Sequence, residues 1–175
     1  QPVMVPHWER GVNEQVVMVS KVVGAHPLKA LALGNSPGTG PKGIRGEVVE
    51  VKSLDELRGL PDIAVDGKIV FFNRPMDLGL TSTFSAYGGA ADQRTSGPML
   101  AAEKGAIGCV IRSLSTRQDD FPHTGMTQLT DKIDNIPSVA LSTKDATFLS
   151  ETLKKGPAEL IIYTHCKMYE DALSY

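Results

Sequence analysis

Cysteine is scarce: Cys109 and Cys166 are the only two among 175 residues, which excludes the disulfide framework that staples many small secreted domains. Cys109 lies inside Ala106-Ile107-Gly108-Cys109-Val110-Ile111 and Cys166 on another strand-like run. Both are expected as small buried thiols. No apolar run approaches the ~20 residues that cross a bilayer. Charge of one sign is missing too: the formal net charge is -2. There is no basic field for nucleic acid or an anionic membrane, so neither is expected as a partner. Gln1 is not an initiator Met and nothing resembles a signal peptide, so the chain is expected to begin part-way through a longer product.

Chemistry-bearing motifs are equally sparse. The four histidines, His7, His26, His123 and His165, are scattered, with no H-E-x-x-H or C-x-x-C beside them. A catalytic zinc needs about three protein ligands and a base, and spacing assembles no such set. There is no G-x-S-x-G elbow, and a thiolate at Cys109 would be poorly solvated. Gly38-Thr39-Gly40-Pro41-Lys42-Gly43 has the letters of a dinucleotide fingerprint. A strand rather than a helix follows it, and Pro41 removes an amide, so it is expected as a plain turn. Asp119-Asp120 and the pair Asp131/Asp134 lack the spacing of a calcium loop and are expected as solvated carboxylates.

What remains is the profile of one soluble domain, residues 1–175, with 41% hydrophobic and 22% charged residues. Short Val- and Leu-rich runs bounded by Pro or Gly predict strands at 3–5, 15–20, 28–33, 46–51, 67–72, 107–112, 136–141 and 158–163. Ser53-Leu54-Asp55-Glu56 is a capping box opening a helix to Gly59. Further helices are predicted over 91–104, stopped by Gly105, and over 143–155, stopped by Gly156-Pro157. Loops are predicted at 34–43 and 113–135. The fold class is mixed α/β: two sheet layers, partly parallel and partly antiparallel, with two to three helices. Phe121, His123 and Met126 stand in the second long loop, where binding residues concentrate. Tyr87 lies in Phe84-Ser85-Ala86-Tyr87-Gly88-Gly89-Ala90, which either lines a groove or turns tightly into the next helix.

Three segments in order resemble a protease-associated (PA) domain. They are Gly67-Lys68-Ile69-Val70-Phe71-Phe72-Asn73-Arg74, the stretch from Ala101 to Ile111, and Ile136-Pro137-Ser138-Val139-Ala140-Leu141. Val5-Pro6-His7-Trp8-Glu9-Arg10-Gly11, Phe121-Pro122-His123-Thr124-Gly125 and Asp171-Ala172-Leu173-Ser174-Tyr175 extend the resemblance to the PA insert of dizinc exopeptidases of metallopeptidase family 28. That resemblance implies a swivelling β/β/α fold in which 1–20 and 166–175 connect to a catalytic domain absent from this chain. It implies no catalytic residue and no metal ligand here, two zinc ions in the absent domain, and a secreted or periplasmic parent. The expected partners are that catalytic domain, a peptide substrate or a second subunit. The function implied is a non-catalytic lid or interaction module, with Phe121, His123, Met126, Arg74 and Tyr87 as substrate- or partner-binding residues. A purely structural or oligomerisation domain and an independent small hydrolase are the alternatives.

Overall fold

A computed structural model describes residues 2–130 and 133–174. Among them ten strands and four helices run β1 (Val3–Glu9), β2 (Gln15–Ser20), β3 (Gly24–Leu28), β4 (Ala30–Ala32), β5 (Ile44–Val51), α1 (Leu54–Gly59), β6 (Ile69–Phe72), α2 (Thr83–Thr95), α3 (Gly97–Glu103), β7 (Gly108–Arg112), β8 (Ser138–Leu141), α4 (Thr143–Leu153), β9 (Ala158–Tyr163) and β10 (Lys167–Ser174). A 3-10 turn, Asp62–Ala64, follows α1.

Eight strands form one bent sheet in the order β3-β2-β9-β5-β6-β7-β8-β4. Strand β5 divides it. On one side β3, β2, β9 and β5 pair antiparallel; on the other β5, β6, β7 and β8 pair parallel. Burial follows the pairing. Strand β9 alternates, with Ala158, Leu160 and Ile162 buried and their neighbours half-buried, as a one-sided antiparallel strand should. Strands β6, β7 and β8 are buried at every residue, because helices and sheet cover both their faces.

Two cores result. Ile69, Phe71, Val110, Val139 and Leu141 face Met18, Leu160 and Ile162 from the antiparallel half, with Ala146 and Leu149 of α4. Val70, Phe72, Cys109, Ile111 and Ala140 face the other way, toward Leu57 of α1 and Leu100 and Ala101 of α3. This is the expected mixed arrangement of two sheet layers and a helical layer. A small third cluster, Met76, Ala86, Ala90 and Leu114, sits under α2.

The helix starts are chemically explicit. Ser53, Ser82 and Ser142 each accept a hydrogen bond from the amide three residues on, the usual N-cap arrangement. Only the Ser53 half of the predicted box forms: Glu56 Oε2 accepts at 2.6 Å from the amide of Lys52, one residue before the cap, rather than from that of Ser53. Gly105 ends α3 at φ +82°, a left-handed conformation that glycine adopts without strain.

Three differences from the sequence expectations have physical causes. The predicted helix over 91–104 is two helices meeting at Ser96, with Pro98 in the first turn of the second. Its first member begins at Thr83, so the Phe84–Ala90 stretch is helix and not a turn. The predicted strand over 28–33 is only β4, preceded by the edge strand β3, where Pro27 is tolerated because it lies at the sheet margin. Beyond the sheet, β1 and β10 pair antiparallel as a separate two-stranded ribbon with an irregularity between Val5 and His7.

Candidate functional site

Helix α2 and the long loop after β7 form a joint surface. Within α2, the Arg94 guanidinium lies 5.3 Å from the centre of the Tyr87 ring, a cation–π distance. The loop lies directly on that guanidinium: a Cβ at Gly125 would come within 2.6 Å of Arg94 Cζ. Backbone bonds clamp the same stretch to the sheet side. Gly34 N–H donates to Gly125 O at 2.8 Å and Thr127 N–H to Gly34 O at 3.0 Å. The Gln128 N–H donates to Thr95 O at 2.9 Å, and Thr124 Oγ1 to Ala32 O at 2.7 Å. The start of the loop is fixed through Ser113, whose Oγ donates to Leu141 O and accepts from the His123 amide at 2.7 Å.

Between helix and loop lies a cavity of roughly 230 Å³. Its floor is Met76 and Leu114, both buried members of the third core cluster. Thr83 and Tyr87 line it from α2, and Ser115, Thr116, Arg117 and His123 from the loop. No carboxylate lines it. The neighbouring acids are engaged: Asp120 pairs with Lys144 at 2.8 Å, and Asp119 Oδ1 accepts from the Phe121 amide at 3.1 Å. Among the described residues, neither the Arg117 guanidinium nor the His123 ring has a hydrogen-bond or ion-pair partner.

The structure thus brings two sequence candidates, Tyr87 and His123, to one cavity. Phe121, 74% exposed, does not line it, and Met126 is 67% exposed on the stretch that bridges to Gly34. Arg74 is turned elsewhere: its guanidinium pairs with Asp92, and its backbone exchanges hydrogen bonds with the Gln93 side chain. Sequence reasoning missed Arg117, Thr83, Ser115 and Thr116. Only the contrast between a charged residue in a long loop and its unpaired state marks Arg117, and that contrast is invisible without coordinates. Asp131 lies outside the described residues. The Gly38–Gly43 segment is a turn, with Gly43 N–H donating to Gly40 O at 3.2 Å and β5 following directly.

A second polar group occupies the C-terminal ends of the parallel strands, on the α4 side. Asn73 Nδ2 donates to Glu50 Oε1 at 2.7 Å, and Ser150 Oγ to the same carboxylate at 2.8 Å. Arg112 Nη1 donates to Asn73 Oδ1 at 3.3 Å and to Thr147 Oγ1 at 3.0 Å. Arg112 is buried at 6% exposure, and that burial lowers its pKa from the ordinary value. This seam lies where ligands bind in many open α/β sheets, but its own side chains fill it.

Among the described residues no group of three or more His, Cys, Asp or Glu is placed to hold a metal ion. The two zinc ions that the sequence resemblance implies were expected in the catalytic domain, outside this chain. No helix among them is long and apolar enough to cross a membrane.

No family model matches the chain. It is 34% identical over 177 residues to carboxypeptidase Q of Bos taurus, covering 100% of this chain and 35% of that protein. The human carboxypeptidase Q is 34% identical with the same coverage. A solved peptidase M28 precursor from Shewanella amazonensis superposes with a TM-score of 0.92 at 30% identity, covering 100% of this chain and 39% of the other. The chain thus spans about a third of the length of the relatives it matches. Along its entire length this chain is a homologue of one segment of the family M28 peptidases.

Proposed function

We propose that this chain is a non-catalytic PA-type module of a secreted or periplasmic zinc exopeptidase, whose face formed by α2 and the long loop covers or borders the peptide substrate. The observation that carries this reading is the whole-length match to about a third of carboxypeptidase Q. Two features of the fold support it. Strands β1 and β10 run side by side, Val3 opposite Ser174, so a chain entering by one strand and leaving by the other passes a single point, as an inserted domain requires. The ribbon is also continuous with the loop face: Trp8 Nε1 donates to Ser36 O at 2.8 Å, and the neighbouring Gly34 pairs with Gly125 and Thr127.

In this reading the zinc ions and the bond-breaking groups belong to the rest of the polypeptide. This chain supplies shape, loop contacts and the side chains of Tyr87, His123, Phe121 and Met126. The test is steady-state dipeptide hydrolysis by the full-length parent carrying His123→Ala. KM should rise, or the substrate preference shift, with zinc content unchanged. Wild-type kinetics on every dipeptide would remove the substrate role, and altered assembly with wild-type kinetics would favour an oligomerisation domain instead.

A further inference from the structure

The cavity between α2 and the long loop has a chemistry that its walls do not satisfy. An apolar floor of Met76 and Leu114 lies below a rim carrying Arg117 and His123. No acidic residue lines it, and both basic groups lack partners among the described residues. Among the other arginines, Arg74 faces Asp92, Arg10 faces Glu14 and Arg112 donates to Asn73 and Thr147, while half-buried Arg94 rests on the Tyr87 ring. Arg117 is exposed, has no such contact among the described residues, and stands at a concave surface.

We propose that this cavity is a recognition site for the C-terminal residue of a short peptide, with the α-carboxylate held by Arg117 and His123 and the apolar side chain on Met76 and Leu114. An arginine fork suits a carboxylate, since its paired N–H groups match two oxygens. An α-carboxylate and an apolar side chain leave the same carbon, so a single residue meets rim and floor together. A glutamate side-chain carboxylate carries no apolar branch and would leave the floor open. The size agrees: at roughly 230 Å³ the cavity is below the ~300–1,000 Å³ of pockets for drug-sized ligands and takes one residue rather than a chain. Tyr87, steadied by Arg94, forms the wall against which that residue would lie.

The site rests on the module reading, whose face and residues Tyr87 and His123 it shares, but it is tested on this chain's own residues, so the two fail separately. The test is calorimetric or NMR titration of the chain with four probes at millimolar concentration: N-acetyl-leucine, N-acetyl-leucinamide, N-acetyl-glutamate blocked as its α-amide, and acetate. N-acetyl-leucine should bind at least about tenfold tighter than the other three, the worth of a charge-assisted contact. Arg117→Gln should lose that advantage and leave the leucinamide response unchanged. Equal binding of N-acetyl-leucine and its amide would overturn the role of charge, and equal binding of acetate the role of the floor. Equal binding of the glutamate α-amide would overturn the assignment to a C-terminal residue. No response to any probe would overturn the site. Binding by the chain, combined with wild-type kinetics of Arg117→Gln in the parent, would retain the site and remove the substrate-covering role.

Discussion

Two arginines in this molecule sit a few residues apart in sequence and live under opposite conditions. Arg112 ends β7 inside a seam where Glu50, Asn73, Thr147 and Ser150 engage one another. Arg117 stands on the loop that β7 releases, beside an open cavity, with no partner among the described residues. Burial without satisfaction is costly, so a buried cation must be built into a network. An exposed cation bears no such cost and is free for something that arrives from outside. The seam is therefore expected to govern stability, and the rim to govern binding.

Arg112→Ala gives the largest break in that comparison. It strips the donor from Asn73 and Thr147 and opens a void beneath α4, so a loss of about 3 kcal/mol in unfolding free energy is expected. Urea unfolding followed by circular dichroism measures it. A change within experimental error would mean that water already serves the seam and that the two arginines do not differ in kind.

Cys109 sharpens the same contrast from the opposite face of β7. Burial pushes its thiol pKa far above the ordinary value. In the unfolded chain the thiol ionises near ~8.5 while the folded chain keeps its proton, so the unfolded state binds fewer protons above that pH. Stability contributed by the protonated thiol is complete below ~8.5 and falls at up to about 1.4 kcal/mol per pH unit as pH rises further. Cys109→Ala should remove that component of the alkaline slope in unfolding curves between ~8.5 and ~10. An unchanged slope would show that water reaches β7.

Much of this architecture is legible in the residues, and the failures are local. The apolar run Ile69-Val70-Phe71-Phe72 and the Ser53–Glu56 cap specify β6 and α1 through short-range chemistry, and both appear as expected. The part of helix α2 before Ala91 was hidden because Gly88 and Gly89 lower helix propensity; it is held instead by packing of Ala86 and Ala90 on Met76 and Leu114. Strand β10 was hidden because its partner, Val3 to Glu9, is distant in sequence, and β3, although a hairpin neighbour of β2, was hidden because it is mostly exposed, contains Pro27 and carries little hydrophobic alternation. At the site, Tyr87 and His123 could be chosen one by one as loop or groove residues. That they share a cavity depends on Gly125 lying against Arg94 and on the clamp at Gly34, neither of which has a sequence signal.

Gly125→Ala tests that clamp at moderate cost. The new methyl would collide with the Arg94 guanidinium and force the side chain or the loop aside, for a loss of about 1 kcal/mol. Ligand titration should show weaker binding at the cavity, because the Tyr87 wall loses its cation–π neighbour. Undisturbed binding would show that the cavity is shaped by the Ser113 anchor alone.

The smallest effect is expected where the comparison began. Arg117→Gln removes a charge that no described residue answers, from an exposed position, so the unfolding free energy should move by less than about 0.5 kcal/mol. The same substitution is the one expected to abolish preference for a carboxylate ligand. A stability-neutral change that removes binding, set beside a strongly destabilising change at Arg112, would separate the two arginines experimentally. If Arg117→Gln destabilised the chain as much as Arg112→Ala, the Arg117 side chain would have to serve the fold itself, and the cavity would lose the free cation on which its recognition of a carboxylate depends.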